Sequence, residues 1–204
     1  MPVPYRIETA RLVIRCYEPD DAPLLMDAVN SSLDHLGPWM PWADHAVTLD
    51  EEIDLLRAFR GQFDRDENWV MGVFDREETR IVGGTGLHPR GGDGSLEIGY
   101  WVRADSVRQG ITTEVTAVLT RVGFELVGLD RVDIQIDPEN VASQGVPRKL
   151  GFVHEATLRR RLPHRAGERR RDSMVFTMLR EEYDEAPWLD AYPYAAYDAL
   201  GREL

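Results

Sequence analysis

The stretch Leu96–Glu125, LEIGYWVRADSVRQGITTEVTAVLTRVGFE, decides the fold. Leu96, Ile98, Tyr100 and Val102 alternate with Glu97, Gly99 and Trp101, the period of a strand with two different faces. A polar loop with Arg108, Gln109 and Gly110 breaks that period. From Ile111 the apolar residues recur at Val115, Val118, Leu119, Val122 and Leu126, the stripe of an amphipathic helix. Strand, short glycine loop and Thr-rich first turn aim several backbone N–H groups at one spot, at the positive end of a helix dipole. That arrangement suits phosphate. Neither common nucleotide fingerprint is present: there is no G-x-x-x-x-G-K-[ST], and no G-x-G-x-x-G opens a helix after a strand. A mononucleotide or NAD enzyme is therefore disfavoured.

Upstream of this stretch, Arg11–Cys16 (RLVIRC) predicts a first strand, and Pro19-Asp20-Asp21 opens a helix to about Ser31. Pro38–Trp42 (PWMPW) is a proline-braced loop presenting two indoles, which need a packing partner or a ligand. Thr48 and Glu51 form a capping box for a helix reaching about Phe63. Asn68–Phe74 and Arg80–His88 alternate as strands, and Pro89–Gly94 turns the chain into the Leu96 strand, giving a three-stranded antiparallel meander.

Downstream, Arg131–Asp137 reads as another strand, and Asn140 caps a short helix through Lys149. Pro147 inside that helix lacks an N–H and frees the carbonyl of Ser143. Phe152–Arg161 and Arg170–Leu179 form a hairpin around His164–Glu168. The chain divides into one domain, 1–183, and an acidic, aromatic tail, 184–204, with Trp188, Tyr192, Tyr194 and Tyr197. The tail is expected to pack on the domain or on a partner subunit, which leaves a homodimer open.

With 204 residues the chain is long enough for a substantial core. No run approaches the roughly 18 apolar residues of a membrane span, and no signal peptide precedes Arg6. One cysteine, Cys16, excludes an internal disulfide and fits a reducing, cytoplasmic setting. The net charge of −12 disfavours nucleic acid as a general partner. Thirteen acidic residues stand against three arginines between Glu18 and Glu67, and seven arginines crowd Thr157–Arg171. Both patches read as solvated surface or, for the acidic one, as a match for a cationic partner. The five histidines show no metal-ligand spacing, and no Ser/His/Asp or Cys/His arrangement is visible.

Five markers stand in a fixed order: ETARLVIR at Glu8–Arg15, PWMPW at Pro38–Trp42, EIGYWV at Glu97–Val102, RQGITTE at Arg108–Glu114, and Asn140 followed by KLGF at Lys149–Phe152. From Ile7 to Tyr183 the sequence resembles the GNAT superfamily of acyl-CoA-dependent N-acyltransferases, and within it the RimJ/RimL-like branch of ribosomal-protein alanine acetyltransferases. The resemblance implies an α+β (mixed α/β) fold, with a mostly antiparallel sheet of about seven strands flanked by about four helices. It further implies a splay between the fourth and fifth strands, where CoA enters. Acetyl transfer from acetyl-CoA to a primary amine, by direct attack in a ternary complex and without a metal, is the activity implied.

On that resemblance, Arg108, Gln109, Gly110, Ile111, Thr112 and Thr113 hold the pyrophosphate of CoA. Backbone N–H groups around Tyr100, Trp101 and Val102 polarise the thioester, and Asn140 touches the pantetheine arm as well as capping its helix. The chain departs from the family's phosphate motif at Val107 and Thr112, where the family carries Gln or Arg and Gly or Ala. Thr112 crowds the backbone, although its hydroxyl and that of Thr113 are able to bond phosphate.

The chemistry needs a base for the amine, donors for the thioester oxygen and a proton for the departing thiolate. On the same resemblance Glu97, where the family places a carboxylate, is the candidate base and Ser143, where this branch carries a serine, the candidate acid; His88, beside the expected acceptor mouth, is the alternative base. The resemblance implies that the connection carrying Trp39 and Trp42 overhangs the acceptor site, and with the acidic residues around Asp44 and Asp50–Asp54 they suit an amine-bearing acceptor. A peptide N-terminus, an aminoglycoside-like amine and a polyamine all remain open. Two other classes stand beside the enzyme: a non-catalytic acyl-CoA-binding scaffold, motivated by Val107, Thr112 and Pro147, and an RNA- or ribosome-associated module using Arg159–Arg171.

Overall fold

In a computed structural model, which describes residues 3–163 and 170–204, the organising strand is the fifth of nine. The predicted hairpin turn His164–Glu168 lies outside the described residues. In chain order the strands are β1 (Arg6–Glu8), β2 (Leu12–Cys16), β3 (Trp69–Asp75), β4 (Ile81–His88), β5 (Ser95–Val102), β6 (Arg131–Ile136), β7 (Val153–Leu162), β8 (Arg171–Leu179) and β9 (Ala195–Tyr197). The helices are α1 (Ala22–Asn30), α2 (Leu33–Leu36), α3 (Leu49–Asp64), α4 (Ile111–Val122), α5 (Val141–Lys149) and α6 (Arg180–Asp184).

The sheet runs β7-β8-β6-β5-β4-β3-β2-β1-β9, antiparallel throughout except between β5 and β6. That parallel pair holds over three residues only, Ser95–Glu97 against Arg131–Asp133, and then opens. Beyond Glu97 the edge of β5 that faces β6 has no strand partner among the described residues. This is the expected splay: the fourth and fifth of the seven predicted strands are β5 and β6 here, because β1 precedes them. The two extra strands, β1 and β9, have three residues each, too few to display a period of two. The four predicted helices correspond to α1, α3, α4 and α5, while α2 and α6 span only four and five residues.

The alternation of β5 serves two layers. Leu87 and Ile98 pack with Val115, Val118 and Val122 of α4 on one face. On the other, Val13, Phe74 and Ile81 pack with Leu25 and Val29 of α1 and Leu56 of α3. Local chemistry fixes the helix starts as read: the Thr48 hydroxyl accepts from the Glu51 N–H while the Glu51 carboxylate accepts from the Thr48 N–H. Asn140 Oδ1 likewise accepts from the Ser143 N–H at 3.1 Å.

After α6 the chain returns along the molecule. The Trp188 indole N–H donates to the Leu150 carbonyl at 2.8 Å, Arg121 donates to the carbonyls of Leu189 and Tyr192, and Glu125 accepts from the hydroxyls of Tyr183 and Tyr194. β9 then pairs with β1. No helix among the described residues is long and apolar enough to cross a membrane.

Candidate active site

A cleft of about 740 Å³ opens where β5 and β6 part. Its floor is the face of β4 and β5 turned toward α1 and α3, where three of the six facing positions are glycines. Register places Gly84 opposite Trp101, Gly86 opposite Gly99, and His88 opposite Glu97. A Cβ on Gly86 would stand 2.9 Å from His88 Cε1, and one on Gly99 3.0 Å from His88 Nε2; one on Gly84 would overlap the Trp101 indole nitrogen. The glycines thus let an imidazole and an indole lie down over the sheet.

Glu97 is 6% exposed, and its Oε1 accepts from Arg90 Nη1 at 2.8 Å. Burial raises its pKa above the ordinary carboxylate value, and Arg90 opposes that rise without cancelling it. The result is a carboxyl with proton affinity above that of a surface glutamate, lining the cleft at the last residue pair before the splay. His88 lies beside it. Its Nδ1 meets Asn68 Oδ1 at 2.6 Å, and Asn68 in turn donates to Gln62 Oε1 at 3.0 Å. An amide oxygen only accepts, so Nδ1 carries the hydrogen and Nε2 presents its lone pair over Gly99. Burial, aided by Arg90, lowers the His88 pKa to about 4, so the ring is neutral near pH 7.

The opposite arm of the cleft is α5. The Tyr100 hydroxyl lies 3.2 Å from the Ser143 carbonyl and 3.1 Å from Ser143 Oγ. Tyr100 donates to the carbonyl and accepts from the serine hydroxyl. This bridge follows from Pro147. An α-helical carbonyl is normally taken by the N–H four residues on; proline has none, and the Ser143 carbonyl is left for the phenol. Burial raises the Tyr100 pKa to about 12, which keeps the phenol protonated near neutrality.

The loop before α4 lies apart from the cleft lining. Gly110 is the N-cap in the left-handed region (φ 77°), with no side chain capping the first turn, so the N–H groups that begin α4 carry no side-chain partner. Arg108 is also left-handed (φ 61°), an uncommon state for a residue with a Cβ. Arg11 holds this loop: its Nη1 donates to the Gln109 carbonyl at 3.0 Å, and its Nε to Glu114 Oε2 at 2.7 Å. Thr9 Oγ1 donates to the other oxygen of Glu114 at 2.7 Å. A preset loop with uncapped donors at a helix N-terminus fits an anionic phosphate group.

The cleft therefore gathers eight of the residues singled out from sequence: Glu97, Ser143, Tyr100, Trp101, Asn140, Trp39, Trp42 and His88. Val102 and the loop residues Arg108, Gln109, Gly110, Ile111, Thr112 and Thr113 do not line it. Ile111 turns into the core, whereas Arg108 to Gly110 are exposed. Sequence reading missed Arg90, Asn68 and Tyr17, which line the cleft, and met Glu52, which also lines it, only as one of the acidic residues at 50–54. Of the three missed, only Arg90 left a trace, as the one charge between His88 and the glycine turn.

An open sheet that parts at its centre, with a preset loop of uncapped N–H donors on one side and a buried carboxyl at the fork, is an architecture suited to acyl transfer. Residues 11–153 match the acetyltransferase (GNAT) domain family, more than half of the chain, and the chain belongs to that family. Among curated relatives, the Bacillus subtilis (strain 168) protein named "Putative ribosomal N-acetyltransferase YdaF" is 27% identical over 177 residues, 85% of this chain and 93% of its own. The solved structure of a "putative ribosomal-protein-serine acetyltransferase" from Vibrio cholerae superposes with a TM-score of 0.73 at 28% identity, covering 88% of this chain and 99% of that one. Mycobacterium smegmatis RimJ, solved with CoA-disulfide, reaches 0.79 at 22% identity over 90% and 91% of the two chains, a likeness of fold. These relatives bear out the RimJ/RimL-like resemblance.

Proposed function

We propose that this chain transfers an acetyl group from acetyl-CoA to a primary amine by direct attack within a ternary complex. The observation that carries the reading is Glu97, a buried carboxyl of raised proton affinity lining the cleft where β5 and β6 separate. An amine reaches the fork as an ammonium ion and loses one proton on becoming a nucleophile. Glu97, directly or through a water molecule, takes the second proton as the nitrogen bonds to the acyl carbon and the carbon–sulfur bond breaks. Backbone N–H groups on the unpaired edge of β5, around Tyr100 to Val102, offer hydrogen bonds to the thioester oxygen as it gains charge. The Ser143–Tyr100 pair gives a proton to the leaving sulfur and regains one from solvent, while the ammonium and Glu97 release theirs to solvent, so the products are amide, thiol and one net proton. Arg108 to Thr113 and the start of α4 hold the pyrophosphate, and Asn140 contacts the pantetheine arm. Trp39, Trp42 and His88 shape the acceptor side, with His88 as hydrogen-bond acceptor through Nε2.

Thermal melting with acetyl-CoA and CoA, against ATP and NAD, is the first test, because a ligand of the folded state raises the melting temperature. A shift with both CoA species alone, followed by acetyl transfer to amines or to peptide N-termini, supports the reading. No shift with either overturns it. Val107 and Thr112 in the loop favour a second reading, an acyl-CoA-binding scaffold, which predicts the shift without transfer to any amine.

A further inference from the structure

Glu52 lies on the core-facing stripe of α3 with Leu56 and Phe63, where an apolar residue is the ordinary occupant. It is 2% exposed, and its Oε2 has no hydrogen-bond partner among the described residues. It nevertheless lines the cleft, in company with Tyr17, Val47, Phe59 and Trp101. The groups that bear on its charge are Glu51 on its own helix and the Tyr17 phenol across from it, and neither offsets a negative charge. A buried carboxyl without a counter-ion is costly and is normally explained by something that partners it. The neighbouring Trp42 and Trp101 rings meet edge to face at 5.8 Å, and Trp42 is 44% exposed.

Along β5, Trp101 stands four residues from Glu97, about 13 Å of strand. Glu97 marks one end, and Glu52 is linked to the Trp101 end through Tyr17, whose phenol senses the Glu52 charge and whose hydroxyl, like the Trp101 indole, lies against Gly84. Glu97 is matched by Arg90, while Glu52 has no cationic partner among the described residues.

We propose that Glu52 is a cation subsite of the acceptor cleft, and that the acceptor is an elongated molecule with two basic nitrogens. One is presented to Glu97 for acetylation; the other, still protonated, is held by the Glu52 carboxylate beside the indoles of Trp42 and Trp101. This rests on the acetyl-transfer reading and names its acceptor class.

The test compares α,ω-diaminoalkanes with n-alkylamines of equal chain length, as acetyl acceptors and as ligands in thermal melting without acetyl-CoA. Wild-type protein is expected to prefer the best diamine by at least about tenfold in kcat/KM, mainly through KM. In Glu52→Gln that ratio falls toward one, and Glu52→Asp, which keeps the charge, retains part of it. The diamine raises the melting temperature of wild type but not of Glu52→Gln. Equal acetylation of diamines and monoamines by wild type, or an undiminished preference in Glu52→Gln, overturns the subsite while leaving the transferase reading intact. Diamine stabilisation that needs Glu52, with no amine acetylated, supports the subsite and overturns the transferase reading.

Discussion

Two carboxyl groups in one cleft are tuned differently. At Glu97, burial outweighs the nearby Arg90, so its pKa rises. Activity is therefore expected to climb with pH as Glu97 ionises. Arg90→Ala, which removes the opposing positive charge, should move the acidic limb of the kcat/KM profile to higher pH. Glu97→Gln is expected to lower kcat by about 10²–10⁴ with CoA affinity retained, measured by steady-state kinetics and by melting with CoA. At Glu52, burial and then Glu51 raise the pKa to about 7. Its folded-state pKa is above the unfolded value, so its contribution to stability is full below pH 4.5 and is lost as pH rises through about 7. Glu52→Gln should accordingly gain stability relative to wild type with rising pH, by roughly 1–3 kcal/mol above pH 7, in denaturant titrations at several pH values. Alternation placed Glu97 on the polar face of its strand, and the family resemblance singled it out there. Glu52 was offered only as one of the acidic residues at 50–54 and nothing local marked Asn68, because what distinguishes them comes from elements remote in sequence.

Pro147 shows what an element-level reading of sequence reaches and where it stops. A proline seven residues after Asn140 implied a free Ser143 carbonyl, and the structure contains one. That the phenol of Tyr100 would take it needed the positions of β5 and α5 in space. Pro147→Ala returns an N–H to the helix and sets it in competition with Tyr100 for that carbonyl. The expected outcome is a melting temperature unchanged or raised and a reduced kcat, two readouts moving apart. Tyr100→Phe should reduce kcat without the gain in stability. The loop ahead of α4 was equally legible as a glycine before a Thr-rich turn. Its brace was not, since Arg11 and Thr9 reach Glu114 from more than a hundred residues earlier in the chain.

At the scale of the molecule, the aromatic tail was visible as composition but its docking was not, because the groups that receive it belong to other elements. Trp188 is buried against Leu150, and Tyr194 meets Glu125 at 2.8 Å. Trp188→Ala is expected to cost about 3–5 kcal/mol, the usual loss for a buried aromatic, measurable as a lower denaturant midpoint. The seven predicted strands were legible because each ran long enough to alternate, whereas β1 and β9 are recognisable only from their pairing, β1 with β2 and β9 with β1. The parallel join of β5 to β6 has a mechanical meaning as well. The strands β5, β4, β3, β2, β1 and β9 on one side, and β6, β8 and β7 on the other, form two half-sheets stitched by three residue pairs. A substrate seated between them acts as a second seam. Hydrogen exchange of the amides in β5 and β6 should therefore slow more on substrate binding than exchange at the outer strands, and the two halves should come to unfold as one.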